Sequence, residues 1–332
     1  MLLYIIRRII MLIPIIFLIS IVSFVVIELP PGDWVSNYIT NLRNSGIDLQ
    51  EEEAERLTKM YGFDQPSYVR YSKWMTGILT RGDFGWSFQW GKPVNDILAE
   101  RLPFTILISL SALLVSWLIA IPIGIYSATH PYSLIDYTAT ILAFVWVATP
   151  GFLLAFVAAW VVFRYMGFSP LGLNSTEFLD APMNAAKMMD RVKHLILPIL
   201  IIGLSGTGAT IRVMRANLLD ELKKQYVTTA RAKGVPELRI LFKYPVRIAF
   251  NPLISTIGWL LPAIISGEVI ISVVLSMPTM GPTLLRATLS QDMYLVGSIV
   301  LILSTLTVVG TLLSDIYLAW ADPRIRFEST GK

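Results

Sequence analysis

Residues 9–29 read IIMLIPIIFLISIVSFVVIEL, and this run from Ile9 to Leu29 carries one charge, Glu28, at its far end. A helix needs roughly 20 apolar residues to cross the hydrocarbon of a bilayer. Arg7 and Arg8 precede the run, as in a secretory leader. The apolar stretch is too long for a leader's core, and no small-x-small cleavage pattern follows it. A retained transmembrane helix is therefore expected. Pro14 lies in its first turns, where a membrane helix tolerates a kink.

Working outward, similar runs recur. Spans are expected at about Phe104–Tyr126, Tyr137–Phe163, His194–Ile211, Pro252–Leu275 and Tyr294–Trp320, making six with the first. The composition agrees: 55% of the 332 residues are hydrophobic and 15% are charged, against about 25% charged in soluble chains. The mean hydropathy is +0.64. The fold class expected is an all-α polytopic membrane protein. There is no cysteine, which excludes disulfides, thiolate metal sites and cysteine nucleophiles. With two histidines, His130 and His194, a histidine-rich metal site is excluded as well, and no metal ligands are assigned.

The polar segments divide the chain into four parts. Residues 1–30 are the N-terminal tail and first span, 31–103 an outer loop domain, 104–320 a core of five spans, and 321–332 a tail. The outer loop has turn signals at Pro30-Pro31-Gly32-Asp33 and Arg81-Gly82-Asp83-Phe84-Gly85. Asp48 to Tyr61 reads as a helix with acids near its start. Trp74, Trp86, Phe88 and Trp90 read either as a small packed cap or as an interfacial aromatic belt. Six spans put both termini on one face, together with the basic loop 212–251. Loops longer than about 60 residues translocate regardless of charge. With the outer loop set aside, 14 basic residues lie on the termini side against 5 opposite. Both termini and loop 212–251 are therefore expected in the cytoplasm.

That loop is patterned. Its stretch DELKKQYVTTARAKGVPE, Asp220 to Glu237, favours a helix up to Lys233. Gly234 suits the left-handed residue that ends a helix. Pro236 and Glu237 suit the first turn of the next one, which runs through Arg239, Lys243 and Arg247. The result is two short helices meeting at a tight corner, with small residues Thr229, Ala230 and Ala232 that permit close docking of a partner. Arg231 and Lys233 read equally as contacts to a partner's acids or as solvated cations. A solvated linker attracted to anionic lipid is the bland alternative, but it needs neither the corner nor the small residues.

The stretch Tyr226 to Gly234, YVTTARAKG, resembles the coupling motif of ABC importer permeases. In that motif a glutamate and two alanines precede a glycine at fixed spacing. Thr228 stands in the glutamate's place and Thr229 in the first alanine's, while Ala230 and Gly234 match. The wider chain is similar to the peptide/nickel branch, through Arg7-Arg8, Pro31-Gly32-Asp33, Gly82-Asp83-Phe84-Gly85-Trp86-Ser87, Arg101-Leu102-Pro103 and Asp322-Pro323-Arg324-Ile325-Arg326.

The resemblance implies the type I ABC importer permease fold, in a bacterial or archaeal cell (inner) membrane. It implies a non-catalytic subunit whose coupling residues are Tyr226, Thr228, Thr229, Ala230, Arg231, Ala232, Lys233, Gly234 and Pro236. It also implies a second homologous permease, one or two cytoplasmic ATPase subunits that hold the ATP and Mg, and an extracytoplasmic substrate-binding protein. No cofactor and no nucleic acid are expected on this chain. Oligopeptides are the substrate class implied, short oligosaccharides the alternative, and nickel the weakest.

Ionisable residues inside spans are functional candidates. Glu268, beside Ser266, reads either as pathway wall or as a helix-to-helix hydrogen bond, and Asp315 leans to the latter. Pro150-Gly151 reads as an ordinary kink or as a helix break at the pathway, so Pro150 joins Glu268 and Ser266 as a pathway candidate. The run Gly203-Leu204-Ser205-Gly206-Thr207-Gly208-Ala209 reads as close helix packing. An intramembrane serine protease would need a histidine near Ser205. His194 lies eleven residues away on the same helix, roughly 16 Å, and His130 in a loop, so catalysis is rejected. A secondary transporter would call for more spans and for buried coupling charges.

Overall fold

The computed structural model describes residues 2–29, 34–44, 55–56, 58–59, 62–255 and 269–321. Most of the predicted fifth span, with Glu268, Ser266 and Pro262, lies outside them, as do most of Asp48–Tyr61 and the tail beyond Ala321.

The described helices are α1 (Leu2–Glu28), α2 (Trp34–Asn44), α3 (Ser67–Arg81), α4 (Val94–Thr129), α5 (Leu134–Ala148), α6 (Gly151–Val161), α7 (Ala185–Leu222), α8 (Gln225–Ala232), α9 (Glu237–Lys243), α10 (Pro245–Ala249), α11 (Met280–Leu289) and α12 (Met293–Ala321). A two-residue hairpin pairs Trp86–Ser87 (β1) with Lys92–Pro93 (β2). Among the described residues four helices, α1, α4, α7 and α12, are long and apolar enough to cross a membrane, and the bent pair α5–α6 makes a fifth when counted as one broken span instead of a re-entrant loop. The expectation of about six spans is consistent with these five and the largely undescribed Pro252–Leu275.

Two boundaries differ from the sequence expectation. The third span is not one helix with an ordinary kink. Thr149-Pro150 separates α5 from an α6 arm bent by 100°. Pro150 has no N–H to continue the ladder, and it starts the new arm by accepting from the Leu154 amide at 3.2 Å. The fourth span is far longer than His194–Ile211. At 38 residues, α7 is about 57 Å long, so Arg212 to Leu222 continue the helix and are not loop.

The chain forms two compact units. One comprises Ile106–Pro278 with Met1–Ile6 and Val309 onward. Here α7 is the central helix, with α5, α6 and α10 packed on it. Its core has two main clusters, one around Ile108, Ile201, Leu275 and Met277 and one around Met214, Leu218 and Leu253. The other unit comprises Arg7–Thr105 with Thr279–Val308. It contains a packed aromatic cap: Phe24 sits against Trp74 and Tyr71, and Trp34 stacks on Tyr38 and Phe88. Asp292, buried at the start of α12, accepts from the Ser87 hydroxyl at 2.6 Å and the Gln89 amide at 3.0 Å, holding the hairpin in place.

Candidate coupling site

The corner after α7 is built from local rules. Lys223 and Lys224 interrupt the helix, and α8 begins at Gln225. The Tyr226 hydroxyl donates to Glu221 at 2.5 Å, spanning the interruption. Burial, and then the Glu221 carboxylate, raise the Tyr226 pKa above its ordinary value, so the phenol remains a donor. Tyr226 also meets Tyr244 edge to face at 6.3 Å between ring centres.

The end of α8 is a Schellman stop. Gly234 has φ +71°. Its amide donates to the Arg231 carbonyl at 2.9 Å, and the Val235 amide donates to the Ala230 carbonyl at 3.3 Å. Val235 then packs on Val227, Ala230 and Ile240. Val227 and Ile240 are fully buried, and each such burial contributes about 2 kcal/mol. Pro236 directs the chain into α9, whose first residue, Glu237, accepts from Arg231 at 2.7 and 3.3 Å. That hydrogen bond raises the Arg231 pKa. Both side chains are largely exposed, at 45% and 68%, so the pair aligns the two arms and contributes about 0.2–1 kcal/mol.

The predicted site residues thus fall on two faces. Tyr226, Thr228, Thr229, Arg231, Ala232, Lys233, Gly234 and Pro236 are exposed on one projecting corner, whereas Ala230 faces inward. The small size of Ala230 serves the corner's own packing and not the outer surface. Arg231 is neither simply solvated nor unpaired, because Glu237 holds it. Helix continuity to Lys233 was expected, but the chain breaks at Lys223-Lys224, and the second arm breaks again at Tyr244, before Pro245.

Elsewhere in the same unit, the small-residue run on α7 makes close helix contacts. A Cβ added to Gly203 would lie 2.8 Å from the Ala112 carbonyl oxygen on α4, and one added to Gly208 would lie 2.9 Å from the Ala143 Cβ on α5. Ser205 donates to the Ile201 carbonyl at 2.8 Å, and the fully buried His194 pairs its Nδ1 with the Asp190 carbonyl at 2.8 Å. Neither is arranged for nucleophilic chemistry. Asp315 is half-buried and partnered, and its neighbour Ser314 donates to the Ile254 carbonyl at 2.6 Å.

The sequence reading missed one arrangement. Asp136 and Arg215 form a bidentate ion pair, 3.0 and 2.9 Å, between α5 and α7. By hydropathy Arg215 belongs to the loop, because the apolar run ends at Ile211. The seven-residue spacing of Asp136 and Ala143 on α5 matches that of Gly208 and Arg215 on α7, but it carries information only once the two helices are known to pack.

Several long apolar helices, one of them followed by a stiff exposed corner, are the features of an integral membrane transport component. Residues 120–327 match the family described as binding-protein-dependent transport system inner membrane component, and residues 1–111 match the N-terminal region of such membrane components. The chain belongs to this family of ABC transporter permeases. It is 36% identical to the oligopeptide transport system permease protein AppB of Bacillus subtilis, over 98% of this chain and 99% of that one. A putative peptide transport system permease of Brucella abortus is 31% identical, over 98% and 99%. The peptidoglycan transport system permease protein YejB of Agrobacterium fabrum is also 31% identical, over 98% of each chain.

Proposed function

We propose that this chain is one of two homologous permeases of an ATP-driven importer for oligopeptides, and that the corner at Gly234 is where a separate cytoplasmic ATPase drives it. The observation that carries this is the corner itself. It is a short helix stopped by a left-handed glycine, stiffened by its own small core and by Arg231–Glu237, with its other residues exposed. A knob that does not bend can transmit a push to α7 and, through α9 and α10, to the fifth span. A floppy loop would absorb it.

In this reading the exposed Tyr226, Thr228, Thr229, Arg231, Ala232, Lys233 and Pro236 meet the ATPase, which carries ATP and Mg. Ala230 and Gly234 set the shape. Glu221, anchored by Tyr226, supplies an acid near the corner, although Thr228 occupies the position where the motif has glutamate. The termini and the corner face the cytoplasm of a bacterial or archaeal cell, and a binding protein delivers substrate at the opposite face. Glu268 and Ser266 are proposed to line the pathway, with the break at Pro150 nearby in function. The relatives named for oligopeptide and peptide transport support the peptide class. The relative named for peptidoglycan transport supports a second reading, in which the cargo carries sugar.

The chain has no cysteine, so Thr228→Cys gives a unique label. It should cross-link to a co-expressed partner ATPase of an ABC importer, and Gly234→Asp should abolish co-isolation of that ATPase. A label at Lys224→Cys that reacts from outside intact cells would overturn the orientation. Ligand screening of the binding protein encoded with this permease separates peptide from oligosaccharide.

A further inference from the structure

We propose that the cavity between α5 and α7 beside Arg212 binds the phosphate headgroup of an anionic phospholipid. Two contacts frame this cavity. At one end Gly208 lets α7 close on Ala143, and at the other Arg215 grips Asp136. Seven residues, about two turns or 10 Å, separate these contacts on each helix. Alongside these contacts the helices leave a cavity of about 180 Å³, which extends past Ala143 and is lined by Thr140, Phe144, Val147, Ile211, Arg212 and Arg215 among others.

Its chemistry is graded along the helices. Phe144 and Val147, each 57% exposed, form an apolar flank toward the middle of the span. The Arg212 guanidinium lies over the Phe144 ring, 5.7 Å from its centre, at the end nearer the coupling corner. Arg215 is already matched by Asp136, whereas among the described residues no carboxylate pairs with Arg212. The site therefore holds one uncompensated guanidinium whose fork suits a phosphate diester, directly above a surface that suits acyl chain. That order of polarity is the order within a phospholipid, and basic recesses between membrane helices at the cytoplasmic side are lipid sites. A soluble phosphate would use the cation and leave the apolar flank unoccupied. A partner helix would cover the flank but would need an acid of its own at Arg212.

The leaflet assignment rests on the orientation proposed above, but lipid binding does not. The test is native mass spectrometry of the detergent-purified full chain, titrated with dioleoyl phosphatidylglycerol or dioleoyl phosphatidylcholine. One phosphatidylglycerol should be retained in preference to phosphatidylcholine. Arg212→Gln should weaken that retention about fivefold, the effect of one interfacial cation. Arg212→Lys should restore most of it, and Arg247→Gln, an exposed change outside the cavity, should leave it unaltered.

Equal retention of both lipids, or unchanged retention in Arg212→Gln, overturns the proposal. Displacement of the lipid by millimolar inorganic phosphate would assign the cation to a free anion instead. Loss of a co-purifying second permease in Arg212→Gln, without any change in lipid count, would assign the surface to a subunit interface. Labelling of Lys224→Cys from outside would sink the orientation and the coupling reading, yet leave the lipid count as measured.

Discussion

Asp136 and Arg215 hold each other through two parallel hydrogen bonds, with the carboxylate side chain 6% exposed and the guanidinium 30%. The Tyr132 amide adds a third bond to the same carboxylate at 3.0 Å, and the Ser133 hydroxyl caps α5 by accepting from the Asp136 amide. One acid thus fixes the turn before α5, the start of that helix and its seat on α7. Arg215→Met should leave this carboxylate buried without its cation. Breaking such a pair costs about 3–5 kcal/mol when both groups are dry, and the partial exposure of Arg215 lowers this to about 2 kcal/mol. Replacing both partners, as Asp136→Leu with Arg215→Met, should recover much of the loss. Thermal unfolding of the three variants in one detergent checks the order.

The small-residue run on α7 makes unequal demands on its glycines. A Cβ added to Gly203 would lie 2.8 Å from the Ala112 carbonyl oxygen and 3.3 Å from the Val115 side chain, whereas one added to Gly206 would meet the Ser116 hydroxyl at an ordinary 3.7 Å. A backbone oxygen cannot move aside without moving α4. Gly203→Ala should therefore destabilise the chain by about 2 kcal/mol. Gly206→Ala should be neutral or stabilise it by up to about 1 kcal/mol, because alanine is the better helix former. Equal midpoints for the two variants would show that α4 and α7 are not packed as closely at Gly203 as these distances require.

The sequence made the spans legible because each is a long run with few charges, and it made the corner legible because Gly234 and Pro236 act locally. It misjudged lengths. Hydropathy ends α7 at Ile211, where the first arginine appears, but Met214 and Leu218 stay buried to extend the helix to Leu222. It also took Ala230 for outer surface. Smallness alone does not tell which way a side chain points, and only the closure on Ile240, ten residues later, decides that. Asp136 and Arg215 were out of reach for a similar reason, since 79 residues separate them and no local pattern joins them.

At the hairpin of the aromatic cap, Asp292 is buried, and this pushes its carboxyl above the usual carboxylate range against the pull of the Ser87 hydroxyl and the Gln89, Leu295 and Phe88 amides. A raised folded-state pKa means that the folded chain holds the proton more tightly than the unfolded one. The stabilisation is complete below the unfolded value, about 4, and is lost as pH rises through the folded value. The cap should therefore be more resistant to thermal unfolding at about pH 5 than at about pH 8. Asp292→Asn should remove this group's share of the slope. An unchanged slope in the variant would mean that the titration belongs to another group.

At the corner, Gly234 has open space around the position of a Cβ, so a side chain there meets no neighbour. What opposes substitution is φ +71° alone. Alanine in the left-handed region costs about 1–2 kcal/mol, while asparagine tolerates it better. Gly234→Ala should weaken the bonds from Gly234 to Arg231 and from Val235 to Ala230, and asparagine should weaken them less. Amide exchange at Val235 and Gly234 should accelerate in that order, with the transmembrane amides unaffected. Ile240→Ala attacks the same corner from inside, by emptying the space against Val227 and Ala230, and should accelerate the same amides by about 2–4 kcal/mol of lost packing. If ATPase-driven transport falls in step with this exchange across all three variants, although none alters the exposed side chains other than at Gly234, then the stiffness of the corner, and not only its surface chemistry, carries the stroke.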